Sequence, residues 1–177
     1  MIDQEIRNTD LFGEMAYIDK FLDIFCYGCF LKGDLSYLQD SKFKKWASSF
    51  EKYVVFGTGG SALGGKAIQA FLSLYSNVTF IDNLDYCSFQ KTLNELEFKS
   101  TGFLIISKSG ETIETIAQML TAFNFFQKDK ITDHFFCITE NKDSTIKRIC
   151  NVYNIPMIDH PIDIGGRFSV FSPVGMT

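Results

Sequence analysis

The chain has 177 residues, a formal net charge of −4 and 46% hydrophobic residues, with 19 phenylalanines among them, which is enough apolar material for the core of one α/β domain, with or without an appended helical segment. The acidic balance and the lack of any basic run longer than Lys44-Lys45 argue against a nucleic-acid-binding surface. No apolar run approaches the roughly 18 residues that cross a membrane, and the amino terminus lacks the order of a signal peptide, so we expect a cytoplasmic protein that binds neither membrane nor nucleic acid.

The five cysteines are predicted to be reduced thiols in a core, because an odd number scattered along the chain does not suit a disulfide framework. Cys26 and Cys29 have the C-x-x-C spacing of some metal and redox sites. The chain has no second such pair, and neither His134 nor His160 stands at zinc-like spacing from this one. We therefore predict that the protein holds no metal ion.

The leading segment, residues 1–50, is predicted to be a helical amino-terminal extension. From about residue 10 to residue 29 apolar side chains recur at helical spacing, and this stripe contains Leu11, Met15, Ile18, Phe21, Leu22, Phe25 and Cys29. A second short amphipathic helix is indicated over residues 43–50, where we expect Trp46 to anchor the core.

After residue 52 short apolar runs alternate with helical patterns, which is typical of βαβ units and a parallel sheet. The predicted strands are residues 53–56, 78–81, 103–106, 135–138 and 155–158. We therefore predict an α/β domain over residues 51–177, with five parallel strands between two layers of helices. Ligands of such sheets bind at the carboxyl ends of the strands.

Residues 54–66 form a buried strand, a glycine-rich turn and the start of a helix, a combination that favours an anion, most often phosphate. A magnesium-nucleotide loop is disfavoured because Ala67 stands where a hydroxyl is needed. A dinucleotide fingerprint is one alternative interpretation, since Gly57, Gly59 and Ala62 fit G-x-G-x-x-A and Asp82 follows about 20 residues later. A sugar-phosphate loop and a purely structural turn are the other interpretations.

The loop after the third predicted strand, residues 107–112, contains three hydroxyls, one lysine and one glycine at the start of a helix. Hydroxyls and amides supply hydrogen-bond donors and Lys108 supplies a compact charge, so the loop suits a phosphate group. A helix cap with a surface lysine would explain the loop taken alone. Because residues 57–61 follow the adjacent strand, the two loops together favour a sugar phosphate over a dinucleotide.

A third motif, residues 165–175, places Arg167 after two glycines. The glycines allow a tight turn, and a guanidinium pointing into a cleft can stabilise developing oxyanion charge. The alternative is a structural arginine paired with a carboxylate such as Asp163.

Together the three motifs resemble those of the glucose-6-phosphate isomerase family. They read G-T-G-G-S-A-L-G-G at 57–65, S-K-S-G-E-T at 107–112 and G-G-R-F-S-V-F-S-P-V-G at 165–175. The first two also occur in the wider class of sugar-isomerase (SIS) domains, whereas the third is the most specific. The resemblance implies a three-layer αβα SIS-type fold over residues 51–177.

The resemblance also implies the roles of individual residues in interconverting glucose 6-phosphate and fructose 6-phosphate through a cis-enediol(ate), without metal or organic cofactor. Arg167 would stabilise the enediolate, and Gly59, Gly60 and Gly166 would bring backbone close to the substrate. The residues expected to bind the phosphate of the hexose 6-phosphate are Ser61, Ser107, Lys108, Ser109 and Thr112. A homodimer is expected for the full-length protein.

In the resembled family a glutamate base, a histidine and a lysine follow the arginine motif, in a second SIS-like domain. We therefore expect that residues 1–177 are a truncated chain without that domain, and that they are inactive by themselves. His160, at the ligand end of the sheet, is more often a packing residue than a proton carrier in such a position. The alternatives to the enzyme are a non-catalytic SIS-type sugar-phosphate sensor and an NAD-binding Rossmann domain.

Overall fold

The structure is a computed structural model that describes residues 40–71, 77–126, 131–166 and 169, and its centre is a parallel five-stranded sheet. The strand order is β2-β1-β3-β4-β5, and every neighbouring pair is parallel. The strands are β1 (Lys52–Phe56), β2 (Val78–Ile81), β3 (Thr101–Ile106), β4 (Phe135–Thr139) and β5 (Met157–Asp159). The predicted sheet is therefore confirmed, whereas the helix predicted over residues 10–29, with Cys26 and Cys29, lies outside the described residues.

Within the described ranges five α-helices accompany the strands, and several begin at a side chain that accepts from free backbone amides. They are α1 (Ser41–Ala47), α2 (Gly60–Phe71), α3 (Tyr86–Glu95), α4 (Ile113–Phe126) and α5 (Thr145–Tyr153), with short 3₁₀ turns at Phe98–Ser100 and Ile131–His134. Asp40 accepts from two amides of α1, and Asp85 accepts from the Ser88 amide in α3, as N-cap residues do. No helix in the described part of the chain is long and apolar enough to span a bilayer.

The last strand begins at residue 157, two residues later than predicted. Asn154 ends α5 in a left-handed conformation with φ of 55°, and Pro156 has no N–H to donate to a neighbouring strand. The parallel ladder with β4 consequently starts at Met157, opposite Cys137.

Both faces of the sheet are buried, as the nearly continuous apolar strands predicted. On one face Phe56, Phe103 and Phe135 pack with residues of α3, α4 and α5. On the other face Phe136 packs with Trp46 of α1, which is only 7% exposed; the two ring centroids are 5.4 Å apart. Trp46 is therefore a core anchor, so α1, within the predicted amino-terminal extension, contributes directly to the core of the sheet.

The described cysteines follow the prediction of core thiols only in part. Cys137 and Cys150 are buried, and a hydrogen bond between their thiols together with burial raises the pKa of Cys137. Cys87 is exposed on α3, so the prediction is wrong for this residue, which lies on the solvent face of an amphipathic helix.

Candidate functional site

A cleft of about 480 Å³ opens where β1, β3 and β4 end. The chain runs from β1 to β2 on one side and returns to β3 on the other, and ligands of open α/β sheets bind at such a switch point. The lining residues follow four of the strands; they are Thr58, Gly60, Ser61, Lys108, Ser109, Thr112, Glu140, Lys142, Gly165 and Gly166.

The cleft brings together most of the residues singled out in the sequence. The predicted residues that line it are Gly60, Ser61, Lys108, Ser109, Thr112 and Gly166. Ser107 is buried behind the cleft surface rather than on it. Gly59 is exposed at the turn before α2, and Arg167 lies outside the described residues.

The loop between β1 and α2 approaches the end of β3 closely. Gly59 has φ of 55°, which glycine adopts without strain. A Cβ on Gly57 would lie 3.1 Å from the carbonyl oxygen of Ile106, so glycine permits this approach. The amides of residues 61–63 donate to the carbonyls of Thr58 and Gly59. Those three amides are therefore engaged within the protein, and the hydroxyl-bearing residues of this loop that line the cleft are Thr58 and Ser61.

The loop between β3 and α4 is ordered by its own hydroxyls. Ser107 Oγ accepts from the Gly110 amide and donates to Thr112 Oγ1, each at 3.1 Å. Ser109 Oγ accepts from the Glu111 amide at 3.1 Å and lies 3.4 Å from Thr112 Oγ1. The hydroxyls of Ser109 and Thr112 are thus held beside the cleft before any ligand binds.

Glu111 joins the same loop to the start of α5 and does not line the cleft. Its carboxylate accepts from the Thr145 amide at 2.8 Å and from Thr145 Oγ1 at 2.7 Å. These two hydrogen bonds, the side-chain one first, hold the pKa of Glu111 below its ordinary value. An anion at a helix N-terminus is also favoured by the helix dipole.

A cluster of three charged side chains forms one wall of the cleft. Glu140, just after β4, is buried, and its carboxylate lies 3.4 Å from Lys108 Nζ and 2.6 Å from Lys142 Nζ. Sequence reasoning missed Glu140 and Lys142. The adjacency of β3 and β4 could have indicated them, because parallel strands that neighbour each other end at the same edge of the sheet.

Lys108 also holds the segment that follows β5. Its Nζ donates to the carbonyl oxygens of Ile162 at 2.8 Å and Ile164 at 2.7 Å. Ser169 continues this attachment, since its buried hydroxyl lies 3.1 Å from the Gly60 carbonyl and 2.6 Å from the Gly166 carbonyl. Ser169, within the arginine motif, is therefore tied to Gly60 in the first turn of α2.

His160 is a packed residue behind the site. It is 2% exposed, its Nδ1 lies 2.8 Å from the Pro161 carbonyl, and burial lowers its pKa. It does not line the cleft. Over the ranges that the structure describes, no group of three or more His, Cys, Asp or Glu is placed to hold a metal ion.

Asp82, the candidate ribose ligand of the dinucleotide interpretation, is engaged by a lysine of α2. Lys66 Nζ lies 2.6 Å from Asp82 Oδ2, and Asp82 is not among the residues that line the cleft. The end of β2 is further closed by Gln118, whose amide donates to the carbonyls of Ile81 and Asn83. This arrangement disfavours a dinucleotide at the end of β2.

Comparison of the sequence with known families gives a match over most of the chain. The profile of the phosphoglucose isomerase family matches residues 40–177. A glucose-6-phosphate isomerase of Campylobacter jejuni is 31% identical over 181 residues, which cover 99% of this chain and 41% of the relative. The chain thus spans less than half the length of this relative.

Solved structures give the same result for the fold. The crystal structure of a glucose-6-phosphate isomerase from Chlamydia trachomatis is 26% identical, with a TM-score of 0.66 over 96% of this chain and 32% of that one. A candidate phosphosugar isomerase involved in capsule formation from Bacteroides fragilis is 20% identical, with a TM-score of 0.55 over 92% of this chain and 86% of that one. The second likeness concerns the fold alone, and the SIS-type three-layer architecture is confirmed.

Proposed function

Because the chain belongs to the phosphoglucose isomerase family, we propose that it carries the phosphate-binding half of an aldose–ketose isomerase that interconverts glucose 6-phosphate and fructose 6-phosphate. The complete enzyme opens the sugar ring and moves a proton between C1 and C2 through a cis-enediol(ate). A place in glycolysis and gluconeogenesis, a homodimeric assembly and a cytoplasmic location belong to the same proposal.

The observation that carries the proposal is the convergence of two hydroxyl-bearing loops at the switch point of the sheet. Ser61 from one loop and Ser109 and Thr112 from the other line one cleft, with two lysines in its wall. A hydrogen bond to a charged group contributes on the order of 1.5–3 kcal/mol, so several converging donors can hold a phosphate group firmly. A purely structural turn would not need this convergence.

Within this proposal the predicted residues take distinct roles. Ser61, Ser109 and Thr112 donate to the phosphate directly, while Ser107 holds the Thr112 hydroxyl in place and Lys108 contributes charge. Gly59, Gly60 and Gly166 keep the backbone close to the ligand, and Arg167 stabilises the enediolate. The role of Arg167 rests on the resemblance of residues 165–175 to the family motif.

We also propose that residues 1–177 alone do not turn over the sugar phosphate. In the resembled family the glutamate that moves the proton, and the histidine and lysine that assist ring opening, follow the arginine motif. A coupled assay on the purified chain should therefore detect no conversion of fructose 6-phosphate above the buffer rate. Robust turnover would contradict this part of the proposal and leave phosphate binding intact.

Thermal unfolding in phosphate-free buffer tests the binding function. A ligand present at 100 times its dissociation constant adds about 2.7 kcal/mol to the stability, which for this size should raise the midpoint by roughly 5–10 °C. We expect that rise with fructose 6-phosphate, and no rise with unphosphorylated fructose or with NAD. Ser61→Ala should reduce it, whereas Ser100→Ala, at the opposite end of the sheet, should not.

Two outcomes would count against the function. A rise with NAD and none with fructose 6-phosphate would favour a nucleotide-binding domain. An equal rise with fructose and fructose 6-phosphate would show that the phosphate group is not what the cleft recognises.

A further inference from the structure

We infer that Lys142 is a further residue that contacts the anionic ligand, and that Glu140 is the positioning residue that holds it at the cleft. This inference rests on the proposed function, because it assigns a second cation to the same phosphate-binding cleft. Neither residue belongs to the three motifs that carry the family resemblance.

The backbone fixes both residues in place. The Glu140 amide donates to the Lys108 carbonyl at 3.1 Å, so the loops after β3 and β4 are joined directly. The Lys142 amide donates in turn to the Glu140 carbonyl at 2.8 Å. Lys142 therefore starts from a defined turn beside the cleft rather than from a freely moving loop.

The ammonium group of Lys108 is largely occupied by the protein itself. An ammonium has three N–H donors. Two of them meet the carbonyl oxygens of Ile162 and Ile164, and a Glu140 oxygen lies 3.4 Å away. Lys108 thus holds the segment after β5, and it can give a ligand only a shared or redirected hydrogen bond.

Lys142, unlike Lys108, keeps N–H donors that no group in the described part of the protein accepts from. Its side chain is 50% exposed, against 27% for Lys108. Among the described residues its ammonium has one partner, the Glu140 carboxylate at 2.6 Å, so two N–H groups remain for a ligand in the cleft. An ammonium held by one buried carboxylate can meet a phosphate oxygen without first breaking a contact with the protein.

The net charge of the cluster formed by Lys108, Glu140 and Lys142 favours an anion. Hydrogen bonding to Lys142 first, and then to Lys108, outweighs desolvation and lowers the pKa of Glu140, so its carboxylate is ionised at neutral pH. Two ammonium groups around one carboxylate leave a net positive charge on this wall. Glu140 also lines the cleft but is only 7% exposed, so the lysines present more of their charge to a ligand than the carboxylate does.

The test measures the binding of fructose 6-phosphate and of inorganic phosphate to the 177-residue chain by titration calorimetry. Lys142→Met should raise the dissociation constant for both probes about tenfold, which corresponds to about 1.4 kcal/mol. Lys142→Arg should keep binding within about threefold, because it retains the charge. Lys91→Met is the matched control, since Lys91 also pairs with a glutamate but lies on α3 away from the cleft, and it should leave both constants unchanged.

A double-mutant cycle tests the positioning role of Glu140. If Glu140 holds Lys142 at the ligand, the effect of Lys142→Met should shrink to less than about threefold in a Glu140→Gln background. A Glu140 that served only the fold would leave the tenfold effect intact, and that result would overturn its positioning role.

The outcomes separate the inference from the function on which it rests. Tight binding to the wild-type chain that Lys142→Met does not weaken would overturn the role of Lys142 alone. A wild-type chain that melts cooperatively yet binds neither probe would overturn the proposed function and, with it, the role of Lys142.

Discussion

At the scale of single residues, Gly110 shows how tightly the conformation of the loop at residues 107–112 is constrained. Its φ is 66°, a left-handed conformation that costs most other residues about 1–2 kcal/mol. A Cβ there would lie 2.2 Å from Ser144 Oγ and 3.0 Å from Thr139 Oγ1. The residue type is therefore imposed twice, by the backbone conformation and by the closeness of the start of α5.

Gly110→Ala should consequently lower the stability by about 2–3 kcal/mol and the unfolding midpoint by roughly 5–10 °C. Gly59→Ala separates the two causes. Gly59 has a similar φ of 55°, but no atom lies within 4 Å of a Cβ built there, so we expect a loss of only about 1 kcal/mol. Equal losses in the two variants, measured by thermal unfolding, would contradict the steric contribution of Ser144.

At the scale of elements, the loop at residues 107–112 is positioned by α5 as much as by its own strand and helix. Glu111 accepts two hydrogen bonds from Thr145 in the first turn of α5, and the Ile146 amide donates to the Gly110 carbonyl at 3.0 Å. The loop therefore bridges the two neighbouring crossover units of the sheet. Together with the hydrogen bonds among the loop's own hydroxyls, this attachment holds Ser109 and Thr112 beside the cleft.

The attachment should depend on pH in a defined direction. The pKa of Glu111 is lower in the folded chain than in the unfolded one, so its stabilising effect is present above the unfolded value and is lost as the pH falls through the folded value. Glu111→Ala should therefore be clearly less stable than wild type in urea at pH 7, and the difference should narrow at pH 3. Glu95→Ala, which removes an exposed carboxylate 3.9 Å from Lys91, should match wild type at both pH values. A difference for Glu111→Ala that is the same at pH 7 and pH 3 would contradict the charged hydrogen bonds.

At the scale of the whole molecule, two places at the carboxyl edge of the sheet compete as the ligand site. One is the end of β2, and the other is the cleft at the ends of β1, β3 and β4. The end of β2 is occupied by the Lys66–Asp82 pair and by Gln118, whereas the ends of β1, β3 and β4 open into the cleft. β2 is the edge strand on one side of β1, whereas β3 and β4 lie on its other side. A substitution at Asp82 therefore distinguishes the sugar-phosphate and dinucleotide interpretations.

Asp82→Asn should leave the stabilisation by fructose 6-phosphate unchanged, because Asp82 does not line the cleft. Its cost to the free energy of unfolding should stay below about 1 kcal/mol, since both members of the pair are partly exposed. Thermal unfolding with and without fructose 6-phosphate measures both quantities. Loss of the sugar-phosphate effect in this variant would place the ligand at β2 and contradict the cleft described above.

The fold could be predicted almost entirely from local pattern. An apolar run indicates each strand and helical spacing indicates each crossover helix. The strand starts differ by up to two residues: β3 begins at Thr101, earlier than predicted, and β5 begins at Met157, later than predicted, where Asn154 and Pro156 delay the ladder. The three motifs likewise indicated the strand ends at which a ligand would bind. Glu140 and Lys142 escaped this reasoning, because a single glutamate and a single lysine in a polar turn have no distinctive spacing.

The sequence by itself determined the parallel sheet, the glycine turns and the hydroxyl-rich loop, since hydrophobic periodicity and backbone preference act over a few neighbouring residues. Only the tertiary structure decided which side chains share the cleft and which are already engaged. In the folded chain Ser107 is buried behind the cleft surface, Lys108 is hydrogen-bonded to the segment after β5, and Asp82 is paired with Lys66. These contacts join residues that are distant in the chain and come together only when the strands pack side by side. A local sequence pattern therefore does not predict them.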